Sequence, residues 1–226
     1  MKIIRPLEIM KSLLRLVCSC LQVAAAGVIL STTAGAAVFH FATDPFLGST
    51  ALTTPGRQVV GGEDFINFSV ATDVFSFEPG VFGIGDTINF ASGVAGALPT
   101  SGVNAIALLS FDDDANLATP FAAGNAANLI AARITTPGAG FFIYFNQGLD
   151  LARLVYSTDL NDNTADLKIM ARMLDLSGQS GRDAMATFTA SNFQSPGTTA
   201  VPEPSTYGVF AAVSLLVLSF WKRRRN

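Results

Sequence analysis

Short stretches of alternating apolar and polar residues run through the middle of the chain. In residues 65–70, Ile66, Phe68 and Val70 alternate with polar residues, the period of two that turns one face of a β-strand towards a core. Breakers that contain proline and glycine separate these stretches. The pattern predicts an all-β fold, a single antiparallel β-sandwich or jelly-roll-like domain over residues 38–200. The predicted strands are 65–70, 74–77, 87–90, 103–111, 140–146, 151–157 and 184–193.

Three segments need a separate interpretation. Residues 121–134 are rich in Ala, Asn and Leu and contain no β-branched residue before Ile130, which predicts the one short helix of the domain. Residues 165–176 fit the helical and the strand period alike, and we favour a strand because the neighbouring segments are strands. The run Phe141–Phe145 predicts a central strand covered on both faces rather than a sugar-stacking platform.

The first 37 residues have the features of a signal peptide. Residues 1–15 are basic, residues 16–30 are mostly apolar, and small residues follow at Ala34–Ala37. We expect export by the Sec machinery and cleavage by signal peptidase after Ala36 or Ala37. An uncleaved membrane anchor is the alternative, although the apolar stretch is shorter than the ~20 residues that span a bilayer comfortably.

The C-terminal end has the pattern of a membrane segment. Residues 207–221 are mostly apolar and are followed at once by Lys222, Arg223, Arg224 and Arg225, which we interpret as a stop-transfer cluster. An α-helix of this length reaches only about 22 Å, and interfacial side chains extend it towards the ~30 Å of a hydrocarbon core. The positive-inside rule places the C-terminus in the cytoplasm and the preceding domain outside.

A proline motif stands directly before this segment. Pro202, Glu203 and Pro204, the apolar helix and the terminal basic cluster occur in that order, and together residues 201–226 resemble the PEP-CTERM sorting signal of Gram-negative bacteria. The resemblance implies that an exosortase in the membrane recognises the Pro-Glu-Pro element and processes the protein. It also implies a place in the cell envelope or extracellular matrix, in association with exopolysaccharide or biofilm. A plain linker before a tail anchor is the alternative.

Charge is distributed unevenly along the chain. Eight of the 14 basic residues lie at the two ends, whereas residues 38–200 contain six basic and 15 acidic residues, a net charge of −9. Because so acidic a domain repels phosphate backbones, no nucleic-acid partner is expected. Both cysteines, Cys18 and Cys20, lie in the signal peptide, which leaves the exported domain without a disulfide or thiolate ligand.

Two loops carry acidic and amide side chains at alternate positions, the oxygen ligands that Ca²⁺ takes. The second loop, 159–163, begins like an EF-hand, but Thr164 stands where the turn glycine belongs and Met170 where the bidentate Glu belongs. We prefer solvated turns, in which Asp and Asn side chains bind nearby backbone groups. A looser Ca²⁺ site is the alternative, and no other cofactor is expected. Its candidate ligands are Asp112, Asp114, Asp159, Asn161 and Asn163.

The residues give little support to catalysis. His40 is the single histidine, and no serine motif of a catalytic triad accompanies it. Paired carboxylates suffice for glycoside hydrolysis, but 15 acidic residues supply such a pair by chance. We therefore expect a non-enzymatic, structural or adhesive protein. The alternatives are a carbohydrate-binding module, with or without Ca²⁺, and a secreted hydrolase that uses carboxylates.

Overall fold

A computed structural model describes residues 35–116 and 118–196, which form mostly strands with few helices. The prediction of a β-rich fold is therefore confirmed. The strands are β1 Val38–Phe41, β2 Val59–Val60, β3 Asp64–Ile66, β4 Val74–Phe77, β5 Phe90–Gly93, β6 Ala105–Leu108, β7 Gly140–Asn146, β8 Leu151–Ser157, β9 Leu167–Ser177 and β10 Phe193–Gln194. The α-helices are α1 Pro79–Phe82, α2 Ala123–Ala131 and α3 Gly178–Met185.

Most of the targeting features predicted above lie outside the described residues. These are the signal peptide up to residue 34, the motif Pro202-Glu203-Pro204, the apolar segment 207–221 and the basic cluster 222–225. Within residues 35–116 and 118–196, no helix has both the length and the apolar character that crossing a membrane requires.

The strands form two sheets that are mainly parallel. The small sheet has the order β1-β4-β10, and the large sheet has the order β2-β9-β8-β7-β6-β5, with β3 also paired to β9. Only β7–β8 and β8–β9 are antiparallel; the six other pairings between described strands are parallel. The prediction of an antiparallel sandwich or jelly roll is therefore wrong. Alternation reveals which face of a strand is buried, whereas long connections, such as the one that carries α2 from β6 to β7, permit parallel pairing.

The large sheet is covered on both faces. All seven residues of β7 are buried, and their side chains alternate between two clusters. Phe141 and Ile143 pack with residues of the small sheet, whereas Phe142 and Tyr144 pack with α2. The run 141–145 is thus the covered central strand that the sequence predicted. The side chains that α2 buries against the second face are Ala123, Ala126, Ala127 and Ile130.

Several elements match their predictions closely. Strands β4, β7 and β8 have the predicted bounds, and β9 shows that residues 165–176 contain a strand. Helix α2 lies within the predicted helical segment 121–134. The expectation of one helix is wrong, because α1 and α3 are also present.

The prediction of a strand over residues 184–193 is also wrong. The end of α3, a 3₁₀ turn at Ala190–Asn192 and the first residue of β10 occupy this segment. Asn192 is buried, with 3% of its surface exposed. Its Nδ2 donates to the backbone oxygens of Val70, at 2.7 Å, and Asp73, at 3.0 Å. These bonds join residues about 120 positions apart, so local periodicity carries no sign of them.

Candidate functional site

The loop that follows β8 is fixed to the end of the large sheet by a buried leucine. Leu160 is 3% exposed and packs in the core beside α2, and its backbone N donates to Gly138 O at 2.8 Å. The start of β7 makes room for this side chain, since a Cβ atom on Gly140 would lie 2.5 Å from Leu160 Cδ1 and 2.6 Å from Asn104 O. Glycine is therefore required at position 140 to seat the loop.

Two of the candidate calcium ligands hold the same loop in place. Asp159 Oδ1 accepts hydrogen bonds from the backbone N of Asn161, at 2.9 Å, and of Gly138, at 3.0 Å. Asn161 Nδ2 donates to Ile134 O. The side chains thus cross-link the loop to the segment that leads from α2 into β7, which gives both of them a structural role.

A polar pocket of about 330 Å³ lies between this loop and α2. Three amide side chains, one carboxylate and two alanines line it, a lining that can exchange hydrogen bonds with a hydroxyl-rich ligand. The structure therefore places two predicted residues, Asn161 and Asn163, at one pocket, and adds a partner from α2 that the sequence did not suggest. The lining residues are Asn128, Ala131, Ala132, Asn161, Asp162 and Asn163.

Arg57 binds the side chain of Asn128, one of the residues that line the pocket. One of its terminal nitrogens, Nη1, donates to Asn128 Oδ1 at 2.8 Å and to Gly124 O at 2.9 Å, while Nε donates to Ala165 O at 3.1 Å. Burial lowers the pKa of Arg57, and the negative charges of Asp162 and Asp166 oppose that shift. The guanidinium fixes the Asn128 side chain at the pocket rim. No local motif marks Arg57, because its partners are distant in the sequence.

The other loop with candidate calcium ligands forms turns stabilised by its own side chains. Asp112 Oδ1 accepts from the backbone N of Asp114, at 3.1 Å, and of Ala115, at 3.0 Å. Asp114 Oδ1 accepts from the backbone N of Asn116 at 2.8 Å, and Asp114 Oδ2 accepts from Thr119 Oγ1 at 2.7 Å. The bond from Thr119 and the backbone bond from Asn116 lower the pKa of Asp114. These are the Asx-type turns expected of such residues.

The carboxylates of Asp112, Asp113 and Asp114 are close enough to share a cation, with ligand oxygens within 4.8 Å of one another. Among the described residues, no other group of three or more acidic, histidine or cysteine side chains is so close, and Asp159 does not belong to this group. The two predicted loops therefore do not form one acidic cluster. The carboxylate oxygens of both loops accept local hydrogen bonds, as the preferred interpretation of solvated turns expects, and Ca²⁺ binding stays the alternative.

His40 lies on β1 with its side chain exposed. Its Nδ1 is 3.3 Å from Ser76 Oγ on β4, in cross-strand register. Ser76 itself is buried, with 3% exposed. The hydrogen bond therefore links β1 and β4 through side chains as well as through their backbones.

A charged network at the edge of the large sheet was not predicted. Glu63 binds Arg153 and Arg172 together, with Arg172 Nε at 2.5 Å, and its side chain is 7% exposed. Arg153 and Arg172 are cross-strand neighbours on β8 and β9, and Phe65 on β3 is the next in the row. The Arg172 guanidinium lies 5.0 Å from the centroid of the Phe65 ring. One carboxylate thus holds three strands together.

Comparison of the chain with family models, with curated proteins and with solved structures finds no match.

Proposed function

We propose that this is an exported protein of the bacterial cell envelope or extracellular matrix, processed by signal peptidase and exosortase. Its role is structural or adhesive, in association with exopolysaccharide. The observation that carries the proposal is the order of three sequence features at the C-terminus: Pro202-Glu203-Pro204, the apolar segment 207–221 and the basic cluster 222–225. The signal peptide at the other end of the chain supports it.

The described domain is consistent with such a role. It is acidic and β-rich, and four of the five candidate calcium ligands support turns and loops: Asp159 and Asn161 hold a loop, and Asp112 and Asp114 form turns.

Deletion of the exosortase from the native host tests this proposal. We expect the full-length tail to remain attached and the protein to collect in the membrane fraction, whereas the complemented strain restores processing. Unchanged processing and localisation in the deletion strain would contradict the assignment of the sorting signal.

The pocket beside α2 favours carbohydrate binding as a second candidate function. Asn128, Asp162 and Asn163 line it, and amide and carboxylate groups can pair with sugar hydroxyls. We expect Asn128→Ala to weaken binding of the host exopolysaccharide at least about tenfold, which corresponds to losing one or two hydrogen bonds. The matched control is Asn67→Ala, at an exposed asparagine that does not line the pocket.

Calorimetric titration of the purified protein with exopolysaccharide fragments, with Ca²⁺ and with a chelator, measures this directly. A loss of affinity in Asn128→Ala alone supports the pocket as the binding site. Equal affinity of both variants for the fragments, or no binding by the unaltered protein, rules out the pocket.

A further inference from the structure

We propose that signal peptidase cuts the chain after Ala36, and that the new α-ammonium group of Ala37 forms an ion pair with the buried carboxylate of Asp73. The proposal rests on the export proposed above, and it adds a defined cleavage site and a structural role for the mature N-terminus. Removal of the signal peptide then completes a charged contact in the fold.

In the uncut chain the nitrogen of Ala37 already contacts this carboxylate. The Ala37 backbone N donates to Asp73 Oδ1 at 3.0 Å. The two residues stand immediately before β1 and β4, which pair in parallel. Hydrolysis of the Ala36–Ala37 bond consumes one water molecule: Ala36 leaves with the signal peptide as a carboxylate, and the Ala37 nitrogen becomes an amine that takes up a proton from solvent to form the ammonium group.

Asp73 has the properties of a carboxylate that lacks a cation. It is 7% exposed, and its oxygens accept from three neutral donors: Ala37 N, Ser69 N at 2.9 Å and Thr72 Oγ1 at 3.0 Å. The side-chain ion pairs found among the described residues are those of Glu63 with two arginines. Burial raises the pKa of Asp73, but the hydrogen bonds from Ser69, Ala37 and Thr72 outweigh it and lower the pKa overall. A buried negative charge gains most from a partner of opposite sign.

The same geometry distinguishes the two candidate cleavage sites. Cleavage after Ala37 removes the nitrogen that binds Asp73, and it also removes the Ala37 oxygen that accepts from Val74 N at 2.9 Å. Cleavage after Ala36 keeps both contacts. It also leaves Ala34 and Ala36 at the two small positions of the A-x-A pattern that signal peptidase reads.

The scissile bond is accessible and lies at the boundary of the folded unit. Gly35 and Ala36 are exposed and belong to no helix or strand, and the compact unit that contains the two sheets begins at Ala36. The ammonium group fastens the start of β1, an edge strand of the small sheet, to the residue that precedes β4. Maturation therefore strengthens the edge where the chain enters the fold.

The test uses the full-length chain expressed and processed in its native host. Mass spectrometry of the purified protein maps the N-terminal peptide. The folded protein is then acetylated with an amine-reactive ester, and the rate at the α-amine is compared between the unaltered protein and Asp73→Asn. Only a deprotonated amine reacts, so the ion pair slows the reaction. Asp86→Asn, at an exposed aspartate, is the matched control, and acetylation of Lys168 is the internal reference.

We expect Ala37 as the N-terminal residue and about tenfold faster acetylation of its amine in Asp73→Asn, the factor that one unit of pKa gives. Asp86→Asn should react like the unaltered protein, and all three should react equally fast in urea. If Asp73→Asn does not fold, the pH dependence of the acetylation rate in the folded and the urea-unfolded unaltered protein gives the pKa of the amine in each state, and the ion pair predicts the higher pKa in the folded state.

Each other outcome overturns a defined part of the proposal. An N-terminus at Ala37 whose rate is unchanged by Asp73→Asn, or equal in the folded and unfolded states, excludes the ion pair. An N-terminus at Val38 or later excludes the cleavage site but leaves export intact. Retention of residues 1–34 contradicts both the inference and the proposed export.

Discussion

The ring of Phe77 in the small sheet stacks on the ring of Phe141 in the large sheet, with centroids 3.6 Å apart and planes inclined by 17°. Both side chains are fully buried. Phe77 also contacts Phe82 of α1 edge-to-face, with centroids 5.9 Å apart. The stack therefore joins the central strand β7 to β4 at the middle of the aromatic core, where aromatic pairs add to the free energy gained by burial.

Removal of the Phe77 ring should destabilise the fold strongly. Phe77→Ala is expected to reduce the free energy of unfolding by about 3–5 kcal/mol, because it leaves a cavity between the two sheets. Urea denaturation of the purified protein measures the change. Phe65→Ala is the control, since the Phe65 side chain is 64% exposed, and its cost should be below about 1 kcal/mol. An equal loss of unfolding free energy in the two variants would contradict the central place of the Phe77–Phe141 stack in the core.

The carboxylate of Glu63 should make stability depend on pH in the acid range. Burial raises its pKa, but hydrogen bonds from the backbone and Arg172 and the charge of Arg153 outweigh this and lower the pKa from 4.5 to about 2. The folded state thus stays ionised at pH values where the unfolded state binds a proton. The stabilisation is complete above about pH 4.5 and is lost as the pH falls towards about 2.

Glu63→Gln removes this dependence and leaves two neighbouring arginines without their shared partner. We expect a loss of roughly 2–3 kcal/mol at pH 7, less than for fully buried pairs because Arg172 is partly exposed. Urea midpoints measured from pH 2 to pH 7 report both effects. Asp64→Asn, at the exposed neighbouring residue, should leave the acid profile unchanged. A Glu63→Gln profile that keeps the original slope below pH 4.5 would show that the network does not carry the effect.

Gly140 should tolerate no side chain. A Cβ atom there would lie 2.5 Å from Leu160 Cδ1 and 2.6 Å from Asn104 O, so Gly140→Ala must displace the leucine that seats the 159–163 loop. We expect a loss of about 2–3 kcal/mol in the free energy of unfolding. Gly85→Ala is the control, because the space around Gly85 is open. Thermal unfolding of both variants distinguishes the two sites, and similar melting temperatures would refute the close approach.

Substitution of both prolines of the proposed sorting motif should block C-terminal processing. Proline lacks a backbone donor and disfavours a helical conformation of the residue before it, which favours the extended backbone that a protease cleft binds. Pro202→Ala combined with Pro204→Ala is expected to leave the tail attached in the native host, as intact mass would show. Pro196→Ala is the matched control, because this proline lies upstream of the motif, and the variant should be processed normally. Normal processing of the double variant would refute the sorting assignment.

Much of the secondary structure could be predicted from the sequence, because burial leaves a local record. Strand β7 is apolar on both faces since α2 covers one and the small sheet the other, and the run Phe141–Phe145 shows this directly. Pairing direction is less clear from the sequence, because a continuous apolar run indicates only that both faces of a strand are covered. Strand β7 pairs parallel with β6 and antiparallel with β8, so its run of apolar residues could not determine the sheet topology.

The candidate site was predictable only in part, for the same reason. The loop with Asp159, Asn161 and Asn163 stood out through its composition, but its hydrogen bonds to Gly138 and Ile134 and its pocket with α2 depend on distant segments. The contact of Ala37 with Asp73 joins residues 36 positions apart, so the residues next to Ala37 and those next to Asp73 do not indicate it.

The most direct test of the central claim is the intact mass of the protein purified from its native host, with C-terminal peptides mapped by mass spectrometry. We predict that the mature protein lacks the signal peptide and everything beyond about Pro204, with any added mass on the new C-terminus identifying what is attached there. An intact tail ending in Lys222-Arg223-Arg224-Arg225-Asn226 would contradict processing by exosortase and would mean that the predicted membrane segment is retained.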